Sequence, residues 1–182
     1  MLPNKQLLES LDALEVHYKT ATGPKVAGVS QGDPSLFCKH AALELCGWLE
    51  ELQDYVALQC GASLSDPVFI NSLKVFIGNT YGFDMKTHFL PMISFSIGAV
   101  KYEEILNKIR APGSKFTQME GIITNNQYKQ IRNRHAHTYF DASNHDKLQH
   151  LNSPAVVKQH AIMIYDGFKE LYVELKNQKL IT

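Results

Sequence analysis

The chain has 182 residues, 45% of them hydrophobic, which suits one domain with a real core and excludes a disordered chain. Eighteen basic side chains balance eighteen acidic ones, and a formal net charge of zero argues against a surface coated with nucleic acid. No apolar run reaches the roughly 18 residues of a membrane span, so no spanning helix is expected.

The opening MLPNKQLLESLDALE is acidic and lacks a basic segment followed by an apolar one, so it does not read as a secretion signal. Leu7, Leu11, Leu14 and Tyr18 recur at helical spacing and predict an amphipathic helix over 5–19. Residues 20–34 (TATGPKVAGVSQGDP) read as a Gly-rich loop. Asp33-Pro34 is a cap followed by proline in the first turn. From there Phe37, Ala41, Leu45, Trp48, Leu52 and Tyr55 form the expected core stripe of a long helix. Cys38, Cys46 and Cys60 are odd in number and show no CxxC spacing, which predicts reduced, buried thiols in a cytoplasmic protein. Asp66-Pro67 repeats the start signal, and Phe69, Leu73 and Phe76 are expected to face the core of the next helix.

The stretch 78–100 is ambiguous. GNTYGFD reads as a turn without the Lys-Ser/Thr of a phosphate-binding loop. FLPMISFSIGAV is apolar but broken by Pro91 and Gly98. It reads as a loop with a short helix packed on the core, with a buried strand as the alternative. Residues 101–110 read as helical until Ala111-Pro112-Gly113 breaks them. A short helix is expected over 114–122. Thr124 and Gln127 have capping-box spacing, which predicts a helix from there to about His137 or Thr138. A polar loop over 139–153 follows. Ser153-Pro154 opens the last helix, whose seam is Val157, Ala161, Ile164, Phe168, Leu171 and Leu175, a spacing suited to bundle or dimer packing. The fold expected is all-α, a bundle of five to seven helices forming one domain over 1–182, with an N-terminal helix and loop at 1–30 and a core bundle at 34–178.

Charge is unevenly placed. Residues 1–66 carry four lysines against nine acids, whereas 101–137 carry seven basic residues against three acids. Within the basic region lies Arg132-Asn133-Arg134-His135-Ala136-His137. At about 100° per residue, Tyr128, Ile131, His135, Thr138 and Tyr139 share one buried sector. Arg132, Ala136, Asn133 and His137 spread across the other, with Lys129 one turn earlier. Such a face is most often plain solvated surface, but it has a chemical use. RNA carries its own nucleophile, the 2′-hydroxyl. Histidine can move protons near neutral pH, and arginine offers a permanently charged fork to the phosphoryl oxygens. No metal or cofactor is needed. His135 and His137 point about 200° apart on a helix and cannot share an ion there.

The run Arg132-Asn133-x-x-Ala136-His137 resembles the R-N-x-x-A-H form of the HEPN superfamily signature, in the RiboL-PSP-like group. The segment CKHAALELCGWLEEL (38–52) is similar to the first long helix of those proteins, and the resemblance covers roughly 35–178. It implies a helical bundle that pairs as a homodimer, with the two motifs meeting in a cleft. It implies metal-independent RNA cutting that leaves cyclic phosphate ends, in toxin–antitoxin, abortive-infection or other anti-phage settings where an antitoxin or defence partner is expected. Arg132 and His137 become the catalytic pair with Asn133 in support. Lys129 and Arg134 match no required motif position and are expected to hold phosphate. The family also contains silent members that only bind or scaffold a protein or RNA, which is the alternative reading. On one helix Arg132 and His137 lie about 140° apart. Either the helix ends or bends near Ala136, or a second subunit completes the site.

Overall fold

In the computed structural model, residues 2–24, 32–125, 127–135 and 151–181 are described, and among them every regular element is helical. The elements are α1 (Lys5–Thr22), α2 (Pro34–Cys60), α3 (Pro67–Gly78), a π-helical turn (Met85–Phe89), α4 (Leu90–Ile97), α5 (Ala99–Ile109), α6 (Lys115–Thr124), α7 (Gln127–His135) and α8 (Pro154–Asn177). The all-α expectation holds. Among the described residues no helix is long and apolar enough to cross a membrane.

The three proline starts fall where the sequence puts them. Asp33 Oδ1 accepts the Ser35 N–H at 2.9 Å, and Asp66 Oδ1 accepts that of Val68 at 2.8 Å. The Val156 N–H reaches Ser153 Oγ at 3.4 Å. Each cap satisfies a donor that the first helical turn leaves without a partner. Thr124 behaves otherwise. It closes α6, and its hydroxyl donates back to the Glu120 carbonyl at 2.6 Å, while the Gln127 side chain of the expected capping box lies outside what is described. A threonine one turn past a carbonyl can serve its own helix as easily as the next one.

The chain divides into two compact units. One holds Pro3–Trp48 and Asn126–Ile162. Its interior is Leu7 and Leu11 of α1, Cys38, Ala41, Ala42, Leu45 and Cys46 of α2, Tyr128 and Ile131 of α7, and Val157 and Ala161 of α8. The acidic α1 is tied down by its own charges. Glu15 accepts the Ala155 N–H in the first turn of α8 at 3.0 Å, where the helix terminus favours an anion. Asp12 pairs with Lys158 at 2.5 Å, and Trp48 Nε1 donates to the Pro3 carbonyl at 2.7 Å.

The other unit holds Leu49–Asn125 and Met163–Thr182 with the first two residues. Its centre is Phe89, edge-on to Tyr102 at 6.4 Å and to Phe168 at 5.3 Å. In the ambiguous 78–100 stretch a non-helical corner over 79–84 leads into helix from Met85 on, interrupted at Gly98. Asp84 accepts the N–H groups of Lys86 and Thr87, while its carbonyl takes those of both His88 and Phe89. The turn widens there, and Met85 and Phe89 swing into the core. Gly82, at φ +122°, is required at this corner, since a Cβ would sit 2.9 Å from the His88 ring.

Every position of the α8 seam is buried, from Val157 to Leu175. The three cysteines are buried free thiols, and burial pushes Cys60 up to about 12. Two stripes need correction. On α2 the buried face includes Cys38, Ala42, Cys46, Leu49 and Val56 beside Ala41, Leu45 and Leu52, while Phe37, Trp48 and Tyr55 are only half-buried. The face is rotated toward the small side chains, which permit closer approach than the large ones. On α3 the inward residues are Leu73 and Ile77, Phe76 is half-buried and Phe69 faces out. PVFINSLKVFIG is apolar almost all round, so periodicity alone does not select its buried side.

Candidate functional site

Helix α7 carries the basic run as QYKQIRNRH, with Lys129, Arg132 and Arg134 and no acid. Two apolar anchors set its orientation. Tyr128 and Ile131 are buried, as their positions on the helical wheel predict. Lys129 and Asn133 are exposed, and Arg132 is half-buried at the border between the two faces. Arg134 and His135 complete the helix backbone. Ala136, His137, Thr138 and Tyr139 lie outside the described residues, as does the polar loop up to residue 150. The structure therefore brings Lys129, Arg132 and Asn133 together on two successive turns of one short helix.

What sequence reasoning missed is how α7 is held. The Tyr128 carbonyl accepts the Cys46 thiol of α2 at 3.6 Å. The Tyr128 hydroxyl lies 2.6 Å from His160 Nδ1 of α8, with the two rings perpendicular at 5.8 Å. Burial raises the Tyr128 phenol well above its ordinary range, against a smaller opposing effect of a hydrogen bond from the Asn152 side chain. Burial also lowers His160. Both groups are thus neutral at pH 7, and the bonds run in one direction. Asn152 donates to the phenol oxygen, and the phenol donates to Nδ1. His160 then carries its hydrogen on Nε2. No local sequence signal links position 128 to 160. The only hint is that His160 sits beside Val157 and Ala161 in the α8 seam, where a polar ring needs a partner.

The arrangement is a basic helix of about two turns past a buried tyrosine, presented on two apolar pegs and one short hydrogen bond. Such a face can bind phosphate through its cations and amide, and Asn133 can orient a neighbouring group. Comparison of the chain with protein-family models, with curated proteins and with solved structures returned no match.

Proposed function

We propose that the chain is a metal-independent endoribonuclease of the HEPN kind, acting as a toxin or anti-phage effector. Arg132 holds the non-bridging phosphoryl oxygens, and Asn133 supports it. His137 takes the proton of the 2′-hydroxyl as that oxygen attacks the adjacent phosphorus. The bond to the 5′-oxygen breaks, and a proton is returned to that leaving oxygen. A cyclic phosphate and a 5′-hydroxyl end result. Lys129 and Arg134 hold flanking phosphates, and a second copy completes the site, since a helix continued unbroken to His137 would hold it about 140° from Arg132.

The supporting observation is the anchoring of Tyr128 and Ile131, which turns the run's polar positions 129 and 133 to solvent and leaves Arg132 at the edge. The test is purified protein with mixed RNA in the presence of a chelator. Wild type cuts the RNA, and Arg132→Ala and His137→Ala each lose on the order of 100-fold or more of the rate while keeping the helical circular-dichroism signal. Intact RNA with every protein, including in a lysate of cells expressing it, removes the enzyme reading.

A further inference from the structure

Helices α4 and α5 are joined by Gly98 alone, whose φ of +84° lies where L side chains rarely sit. The sharp turn leaves a cleft of about 400 Å³ between them, wholly within the unit that holds Leu49–Asn125. A volume of that size is at the lower end of ordinary small-molecule sites. The floor is one stripe of α5, since Ala99, Glu103, Leu106 and Arg110 recur at steps of four, three and four. Leu90 and Ser94, one turn apart on α4, form the opposite wall, and Val100 stands 72% exposed at the rim.

The cleft is rich in acceptors and poor in free donors. Arg110 lines it but is engaged. Its Nε donates to Glu120 Oε2 at 2.9 Å and its Nη2 to Oε1 at 2.5 Å, a two-pronged pair that offsets the arginine's charge. Glu104 takes Lys101 at 3.0 Å, whereas no described residue pairs with the carboxylate of Glu103. The cleft is thus left with one uncompensated negative charge. Tyr102 also lines it and is 3% exposed. Burial raises its phenol well above the ordinary range, so it stays neutral. No described residue hydrogen-bonds its hydroxyl, although buried polar groups as a rule have a partner.

We propose that this cleft binds a small organic cation, a primary amine carried on an apolar body. An ammonium has three N–H donors and no acceptor. The Glu103 carboxylate supplies the counter-charge, and the hydroxyl oxygens of Tyr102 and Ser94 can accept. The body rests on Leu90, Val100 and Leu106, which removes apolar surface from water on both sides. A carboxylate in the same place would meet Glu103 and find the arginine's fork already committed to Glu120. A neutral head group would gain no charge pairing. No residue of α7 lines the cleft, so the site is independent of RNA cutting.

The test titrates the full chain with three probes of one skeleton, 3-phenylpropylamine, 3-phenylpropan-1-ol and 3-phenylpropionate, followed by backbone amide chemical shifts. Concentrations up to about 10 mM suit ligands of so few atoms. The amine gives saturable shifts concentrated in residues 90–110. It binds about two- to fivefold tighter than the alcohol, the worth of one exposed ion pair, and the acid binds weakest. Glu103→Gln removes that margin and leaves the alcohol's affinity unchanged. Tyr102→Phe weakens the amine by about two- to tenfold, the worth of one hydrogen bond. Val100→Trp, at an exposed site, fills the mouth and abolishes binding of all three. The absence of saturable shifts in α4 and α5 with any probe overturns the proposal. So does an acid that binds as tightly as the amine, a Glu103→Gln protein that keeps the amine's margin, or a Val100→Trp protein with its helical signal intact that binds like wild type.

Discussion

Gly167 on α8 tests how tightly that helix packs. A Cβ placed there would lie 2.4 Å from Met119 Cβ and 2.9 Å from the Lys115 carbonyl oxygen of α6. Carbon atoms in contact ordinarily sit about 3.5–4.0 Å apart, so Gly167→Ala demands more than about 1 Å of movement. Neither obstructing atom can rotate away, because one is a Cβ and the other is backbone. Alanine in a helix interior gains about 1 kcal/mol over glycine. Overpacking against stiff atoms costs about 1–3 kcal/mol and sometimes more. The clash is severe enough to place the cost at the upper end, so the net effect is a loss of about 1–2 kcal/mol. Gly47 on α2 is the matched control, since a Cβ there meets nothing within 4 Å. Gly47→Ala gains about 0.5–1 kcal/mol. Urea unfolding of both variants against wild type should separate their midpoints in opposite directions. A Gly167→Ala protein as stable as wild type would refute the close approach of α6 and α8.

Removing the phenol of Tyr128 by substitution to Phe keeps the packing and loses the 2.6 Å bond to His160, a cost of about 1 kcal/mol read as a lower urea midpoint; an unmoved midpoint contradicts the anchor. Burial lowers His160 beneath its ordinary 6.5, so the stability tied to its neutral form is full above that pH and is lost as pH falls through the folded value. His160→Asn, whose oxygen can accept the same phenol, should flatten the decline in stability between about pH 6.5 and 5, and an unaltered decline would count against this assignment. Asp54 is raised to about 6 by burial first and by Glu50 and Glu51 next. Its charge therefore weakens the fold above pH 6 and ceases to do so once pH drops below the unfolded value of 3.8. Asp54→Asn should stabilise by on the order of 1 kcal/mol at pH 7.5, after allowing for solvent screening, and by nothing at pH 3.5; equal gains at both would refute the pKa argument.

Local chemistry in this chain reads well wherever one residue acts on its own turn. Asp33, Asp66 and Ser153 start helices because each side chain needs only the backbone two or three residues ahead. The α8 seam reads well because its apolar residues recur at one spacing and are all buried, although Ile162, Met163 and Val173 lie exposed outside it. The failures share a different cause. On α2, six small or thiol-bearing positions compete with three aromatic ones, and burial goes to the side that packs closest rather than the side of greatest hydrophobicity. On α3 the helix is apolar on both sides, and only the rest of the fold decides that Leu73 and Ile77 go in while Phe69 stays out. The π-helical turn at Met85 depends on an extra residue accommodated between Asp84 and Phe89. That register shift is invisible to a 3.6-residue period.

The same distinction governs α7. Its wheel is legible because Tyr128 and Ile131 are large, and their burial turns Lys129 and Asn133 outward. Arg132 is the instructive residue. It lies about 40° from Tyr128 on the wheel, so its stem starts along the buried side and only its far end can reach solvent, which accounts for its half-burial. The direction in which its guanidinium leaves the helix is then coupled to the rotation of α7 about its axis. That rotation is set by the burial of Tyr128 and Ile131 together with a bond to a histidine 32 positions away, and the second of these no local pattern encodes. Tyr128→Phe therefore separates two roles that substitution of Arg132 itself cannot. If RNA is cut at a site built on Arg132, loosening α7 should lower the turnover rate while leaving RNA affinity nearly unchanged, because the charge remains and only its aim is lost. Equal losses in affinity and turnover would instead mean that the phenol supports the fold as a whole and does not aim the arginine.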